Sequence, residues 1–403
     1  DGKNSSLQNI SYTSHKKGDS ITLSIPLLTL VPDIHAMTEG KVKLDDISLL
    51  RPAVNIKLSK TDAAESKVQT KLPSLNINKI LIQQPKINFS QPAKKGTVIL
   101  EWNGQAAVNN TLQLEDININ NSDTPSVSVK NLNITLDHFQ FTDAKGKTFN
   151  TRDGKVVTQL KNVSLQQPDN KQWTWSTVVS DLDAKNFLLD SLGKTSGHLS
   201  INSIELKELN LHSGSVKNIQ QFAAANSGFL IKGFNGSYSN INNYLQWYNA
   251  GFNRNNKTLS VDSLTFHPTL EQEPFMAKRS FQSDYIRIKM GAINVSPVDI
   301  DTYIKDSTLT IGNVAIDRVF LSDYRDNRLP FRAGIIKPLP VNLIKKIPGR
   351  LAIDTVKLSN ANVEYTQVDA KTKEPGTISV NRITVSLFPV CNYNLTNTDS
   401  LRI

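Results

Sequence analysis

The residues best suited to metal or acid–base chemistry are scattered along this sequence. There are six histidines, and no two of them have a spacing that would place both imidazoles on one metal ion. The sequence has no HExxH motif, no GxSxG nucleophile elbow, no Walker A loop and no GxGxxG motif after a strand. We therefore predict that the protein is not an enzyme and has no catalytic residue, metal site or cofactor.

Acidic residues form two groups that need a separate explanation. Asp45-Asp46 and Glu115-Asp116 are adjacent acids, but they fall at the turn position of a repeat, which indicates a structural role. Asp299, Asp301 and Asp306 lack the Gly and the terminal Glu of an EF-hand loop, and the first two are typical of a helix start. A carbohydrate-active enzyme with converging carboxylates is a remote alternative.

One pattern recurs along the chain: apolar-x-apolar, then Asp or Asn, then x-apolar-x-apolar. Such a period of two on either side is typical of β-strands. Two looser copies, at residues 112–119 and 127–134, carry Glu or Lys at the polar position. The clear copies are at residues 42–49, 75–82, 199–206, 259–266, 314–321, 351–358 and 378–385.

The phase of the repeat changes at the Asp/Asn position. The apolar residues on either side of it are three positions apart, so a straight strand would point them to opposite faces of a sheet. Both pairs can face one core only if the backbone bulges or turns a corner at this step, and Asp and Asn tolerate the required backbone angles. We therefore predict a strand–corner–strand unit.

Three copies continue into a second alternating strand after Pro52, Pro85 or Asn360. We expect a turn there that makes antiparallel neighbours by short connections. The predicted fold is mainly β: an elongated, curved, largely antiparallel sheet that forms a groove or half-barrel. It is divided into segments 1–215 and 216–403, and we expect the second to continue the same sheet. Short helices are expected at 218–226, 241–252, 296–304 and 341–347.

Composition narrows the class of protein further. The net charge is +10, and the basic residues are scattered or in pairs such as Lys16-Lys17. This charge either favours contact with anionic surfaces or serves solubility alone. The basic residues form no stripe of the kind that binds nucleic acid. The single cysteine, Cys391, excludes an internal disulfide framework. No run of about 18 apolar residues is present to span a membrane as a helix. We interpret the chain as an internal segment and expect a signal or membrane anchor upstream.

The last third of the chain resembles a known family. Residues 324–330, 337–340, 347–365 and 376–378 are similar to the large AsmA-like proteins of Bacteroidetes, within the AsmA/TamB-type group. The resemblance covers roughly residues 260–403. It implies a periplasmic protein with an N-terminal inner-membrane helix and a long β-sheet curled into a groove that carries phospholipids between membranes. It implies no catalytic residues.

These observations together predict a lipid-binding or lipid-conducting segment of an envelope protein, with phospholipid or another acyl lipid as its partner. It would serve intermembrane phospholipid transport or outer-membrane biogenesis. A structural or adhesive extracytoplasmic β-protein, whose apolar faces pack on each other, is the alternative. The residues expected to line the groove are Leu44, Ile77, Ile201, Val261, Ile316 and Ile353.

Overall fold

The computed structural model confirms a mainly β protein with a large sheet. The chain forms two compact units: Asp1–Gly193 with Ser200–Ala225, and Lys194–Leu199 with Asn226–Ile403. The structure describes residues 4–16, 18–39, 43–59, 74–93, 96–106, 109–120, 124–151, 154–167, 173–192, 197–214, 218–226, 228–332 and 349–393.

The elements up to residue 225 are almost all strands. Two short helices, α1 (Ile34–Thr38) and α2 (Ile219–Ala225), and a 3-10 turn at Gly104–Ala106 interrupt them. The strands are β1 Ser5–Lys16, β2 Asp19–Pro32, β3 Lys43–Leu50, β4 Ala53–Lys57, β5 Leu75–Gln83, β6 Lys86–Ala93, β7 Gly96–Asn103, β8 Thr111–Asn120, β9 Ser126–Asp137, β10 Phe139–Thr142, β11 Thr148–Asn150, β12 Lys155–Gln166, β13 Thr174–Leu192 and β14 Gly197–His212.

In the first unit the strand pairing closes on itself. The order of hydrogen-bonded neighbours is β2–β3–β5–β8–β9–β12–β13–β11–β10–β7–β6–β4 and back to β2. This is the order of a closed twelve-strand barrel, so the predicted open groove or half-barrel is wrong. Within this order the long strands β2 and β13 each pair with two consecutive shorter strands, which lie end to end along them.

Of the bulge or corner predicted at the Asp/Asn step, the structure shows a corner, because the strand register is the same on both sides of the step. Between β3 and β5, Leu44 lies opposite Ile77 and Asp46 lies opposite Lys79, and the ladder is interrupted between these pairs. The interruption continues at Asp116 of β8, whose φ of 53° is left-handed. It shifts the side-chain phase by one residue, so the apolar residues on both sides of the step face the same side of the sheet.

The second predicted joint behaves differently from the expectation. The chain does not reverse at Pro52 or Pro85: β3 and β4 both pair with β2, and β5 and β6 pair with β3 and β4 in parallel. The predicted antiparallel neighbours at these joints are therefore wrong. Arg51 and Gln84 have φ of 51°, and this left-handed residue bends the strand without turning it back.

In the second unit β17 and β18 both pair with β16, and β21 and β22 both pair with β23. β20 joins β17 to β21, and β19 joins β18 to β22. β15 pairs with β16, while β24 and β25 pair with β23. The strands are β15 Leu230–Ser239, β16 Asn243–Asn253, β17 Thr258–Val261, β18 Ser263–Pro268, β19 Asp284–Met290, β20 Ile293–Asp299, β21 Thr308–Asp317, β22 Phe320–Asp326, β23 Arg350–Val368, β24 Pro375–Leu387 and β25 Val390–Cys391.

The helix predictions have mixed outcomes. α2 confirms the helix at 218–226, while 241–252 is strand β16, because Leu245 and Trp247 alternate onto one face and pair with Phe266 and Leu264. Helix α4 (Ile300–Asp306) begins after 296, since residues 296–299 still belong to β20. Helix α3 (Gln272–Ala277) was not predicted, and 341–347 lies outside the described residues.

Candidate functional site

The apolar residues of the repeats line up across neighbouring strands. We call such a line, with one residue from each strand, an apolar row. Two of the predicted lining residues, Leu44 and Ile77, belong to the same row, which crosses β3, β5, β8, β9 and β12. In strand order it consists of Leu44, Ile77, Ile117, Val129 and Val163.

This row forms the centre of the apolar cluster in the first unit. Ile77, Ile117 and Val129 are 4%, 3% and 5% exposed, and Leu44 is half-buried beside them. The partly buried residues that pack around them come from the same five strands and from no helix. Ile80 is among them, three positions after Ile77, which confirms that the corner brings both apolar pairs to one face.

The second unit has a row of the same kind. Val261 and Ile316, both predicted as lining residues, are joined by Ile293 of β20, and the row continues to Leu358 and Val385. Val261, Ile293 and Ile316 are half-buried rather than buried, so this row keeps accessible apolar surface.

The remaining two predicted residues lie elsewhere. Ile353 is not in the row of Val261 and Ile316; it pairs with Ile311 of β21 in an adjacent row. Ile201 is buried in β14, with 6% of its surface exposed. Each predicted lining residue is therefore at least half-buried. The structure places Leu44 with Ile77 in one row and Val261 with Ile316 in another, and it places the other two in neither.

The polar residues at the corners bond to their counterparts in the next copy. Asn78 Nδ2 donates to Asp45 Oδ1 at 2.7 Å, and Lys130 Nζ lies 3.2 Å from Asp116 Oδ2. Asn110 is fully buried, accepts the Asp137 N–H at 2.8 Å and donates to the Gly104 carbonyl at 3.2 Å. The contacts of Asp45 and Asp116 support the structural role that the sequence predicted for the acids at the repeat corners, whereas Asn110 lies outside the repeat.

Near α4 the acids are held by cations of the chain. Asp299 is the N-cap of α4 and accepts the backbone N–H of Asp301 at 3.0 Å. Arg254, only 4% exposed, donates to Asp301 Oδ1 at 2.8 Å, and Lys257 lies within 3.3 Å of both carboxylates. Within the described ranges, no cluster of His, Cys, Asp and Glu has the geometry of a metal site.

Two carboxylates, those of Asp284 and Asp323, lie near Arg325. Arg325 Nε donates to Asp284 Oδ1 at 2.6 Å, while Asp323, on the same face of β22, lies between Ile286 and Tyr365 of the neighbouring strands. Asp323 Oδ1 is buried and has no hydrogen-bond partner among the described atoms. Burial raises the pKa of Asp323 to about 6, the charge of Asp284 adds to the rise, and Arg325 opposes it.

A pocket of about 510 Å³ lies beside this pair, and sequence reasoning missed it. Neither carboxylate lines it, so the arrangement does not present the pair to a substrate there. The signal in the sequence was the basic pair Lys278-Arg279 close to Phe281, together with the adjacent Phe331 and Arg332. The lining consists of residues 278–283 with Arg325, Phe331 and Arg332.

No helix in the described part of the chain is long and apolar enough to cross a membrane. Of the segments that carry the family resemblance, 324–330, 350–365 and 376–378 are strands and adjoining turns, while 337–340 lies outside the described residues. Comparison of this chain with models of protein families, with curated proteins and with solved structures found no match.

Proposed function

We propose that the protein binds the acyl chains of lipids on its apolar rows, as a segment of an envelope protein that holds or conducts lipid. The observation that carries the proposal is the second unit's row, in which apolar side chains follow one another on five neighbouring strands and are only half-buried. No polar residue interrupts it from Val261 to Val385. A linear apolar ligand is the natural partner of such a surface.

The dimensions of the row match this partner. Five strands at about 4.8 Å spacing extend over about 19 Å. The hydrocarbon core of a bilayer is about 30 Å thick, so one leaflet, and an extended acyl chain within it, takes about 15 Å. One acyl chain laid along the row would therefore contact each of its strands. Every buried methylene group would contribute about 0.8 kcal/mol.

The resemblance of residues 260–403 to AsmA-like proteins supports the cellular part of the proposal. It favours a periplasmic location, an inner-membrane anchor in the full-length protein, and a role in phospholipid transport or outer-membrane biogenesis. The proposal does not require an open groove, because half-buried row residues are accessible to a ligand that lies along the row, across the strands.

The first unit favours the alternative, a structural β-protein with no ligand. Ile77, Ile117 and Val129 pack on their own sheet and are almost fully buried, so that row has little surface to offer. A protein built only for structure would show this burial in both units. The half-buried row in the second unit is the difference that makes lipid binding the better-supported function.

The test is native mass spectrometry after gentle purification, followed by extraction and identification of lipids. Val261→Gln places a polar group in the row, whereas Ser260→Gln changes the neighbouring exposed residue on the other face of β17. We expect Val261→Gln to lower retained lipid about five- to tenfold, from the loss of about 1–1.5 kcal/mol of apolar contact, and Ser260→Gln to leave it unchanged. A protein that is lipid-free before any substitution, with a dry core, would refute the proposal.

A further inference from the structure

The pocket of about 510 Å³ in the second unit has an unbalanced charge. Four basic residues line it, Lys278, Arg279, Arg325 and Arg332, and none of its lining residues is acidic. Arg325 is neutralised by Asp284, whose Oδ1 lies 2.5 Å from Arg325 Nη2. Over the residues that the structure describes, no ion pair forms at the other three. Three positive charges therefore meet at one concave surface without a counterion from the described part of the chain.

The pocket is held by specific contacts on both sides. Phe275 of α3 is 8% exposed and packs edge-on against Tyr285 of β19, with ring centroids 5.2 Å apart, which fixes the end of α3 where Lys278 and Arg279 follow. Gln282 N–H donates to the Pro330 carbonyl at 3.1 Å, which ties residues 278–283 to the segment that carries Phe331 and Arg332. The basic groups are thus positioned by the fold and do not depend on free chain ends.

Aromatic rings accompany the charges. The Arg279 guanidinium lies 3.9 Å from the centroid of Phe275, and that of Arg332 lies 5.4 Å from the centroid of Phe281. Phe281 and Phe331 are 41% and 72% exposed, which is unusual for aromatic side chains at a polar pocket. A ligand that suits this surface has an anionic group for the guanidinium ions and an apolar part for the rings.

We propose that this pocket binds a phosphate group, through Arg279, Arg332 and Lys278, and that the exposed rings of Phe281 and Phe331 contact an apolar part of the same molecule. Guanidinium groups match the geometry of phosphate oxygens and bind them by two parallel hydrogen bonds. Phosphate occurs both free and in lipid headgroups. The exposed rings favour a phospholipid over free phosphate, because only the phospholipid has an apolar part. The site is separate from the apolar rows, so it goes beyond the proposed function and does not depend on it.

The experiment measures binding to the full chain by titration calorimetry with three probes. These are inorganic phosphate, short-chain phosphatidic acid below its micelle concentration, and the matching diacylglycerol, which lacks the phosphate. We expect phosphatidic acid to bind most tightly, phosphate more weakly and diacylglycerol least. Arg279→Gln and Arg332→Gln should each weaken the binding of phosphatidic acid about tenfold. The control Arg287→Gln changes an exposed arginine of β19 outside the pocket and should have no effect.

The outcomes separate the possible ligands. Phe331→Ala should weaken the binding of phosphatidic acid and leave the binding of phosphate unchanged. If both probes bind equally and Phe331→Ala has no effect on either, the result would support the phosphate site and assign it to free phosphate. Because Arg279 contacts Phe275, Lys278→Gln provides a second variant, and circular dichroism verifies that each variant is folded. Lack of binding by phosphate and phosphatidic acid, or binding unaffected by these basic-residue substitutions, would overturn the proposal. A wild-type protein that retains no lipid on its apolar rows but still binds phosphate in this pocket would contradict only the proposed function.

Discussion

Asp323 provides a sharp test of the arrangement in the second unit. It is half-buried between Ile286 and Tyr365, and one of its carboxylate oxygens has no partner in the described part of the chain. The pKa of Asp323 is raised from 3.8 to about 6, chiefly by burial. We expect Asp323→Asn, which removes the charge and keeps the size of the side chain, to stabilise the second unit at neutral pH.

The magnitude follows from the linkage between protonation and folding. Each pKa unit corresponds to about 1.36 kcal/mol, so a shift of about two units gives at most about 3 kcal/mol. Because water still reaches part of the side chain, we expect about 1–2 kcal/mol. The folded-state pKa of Asp323 lies above its unfolded value. The folded state therefore binds the proton more tightly, and the wild-type protein gains stability as pH falls through about 6, with the full gain below 3.8.

The assay is urea-dependent amide exchange, measured by mass spectrometry on peptides from β19, β22 and β23 between about pH 5 and about pH 8. Asp323→Asn should raise the free energy of opening by the full amount near pH 8 and by about half as much near pH 5, because pH 5 lies about midway between the unfolded and folded pKa values of Asp323. Asp354→Asn, at an exposed position of β23, is the matched control and should change neither. If Asp323→Asn destabilises these strands at every pH, a partner stabilises the carboxylate, and burial does not control its charge.

Three further substitutions test the fold. Asn110→Ala removes a fully buried amide and leaves the part-buried Asp137 N–H without its acceptor, and it should cost about 2–4 kcal/mol in chemical denaturation, whereas exposed Asn109→Ala should cost less than about 0.5 kcal/mol. Ile117→Ala removes a side chain that is 3% exposed and should lower the unfolding free energy by about 2–4 kcal/mol; the same loss in Asn118→Ala would contradict the row assignment. Asn360→Val puts a β-branched residue at φ of 55° and should cost about 1–2 kcal/mol, and equal stability of the variant by thermal unfolding would show that this backbone is not left-handed.

The local geometry of the sheet could be predicted from the sequence because the side-chain period is fixed. A three-residue gap between apolar residues, as between Ile77 and Ile80, can be reconciled with one core only by a bulge or a corner in the strand. Pairing partners over longer distances leave no such mark. Pro52 fits a reversal of the chain as well as a bend, and only the tertiary structure shows that β4 continues beside β2.

The pocket was missed for a related reason. Lys278 and Arg279 are near Phe281 in sequence, but Arg325 and Arg332 come about 50 residues later and approach them only because β19 pairs with β22. The same pairing explains Asp323, which looks like an ordinary strand aspartate in the sequence. Its unusual pKa arises from neighbours on two other strands.

The parallel pairing of repeat copies has a consequence for how such a chain can change in length. Asp45 and Asn78, Arg51 and Gln84, and Asn55 and Asn88 are hydrogen-bonded pairs whose members are all 33 residues apart. A duplication of 33 residues would therefore insert one more bent strand whose side chains meet identical neighbours. In the second unit the parallel copies are 42 residues apart, so the connection between two copies can differ in length while the strand register is kept. Evolution by tandem duplication, and engineering of longer or shorter variants, should therefore proceed by whole bent strands together with their connections.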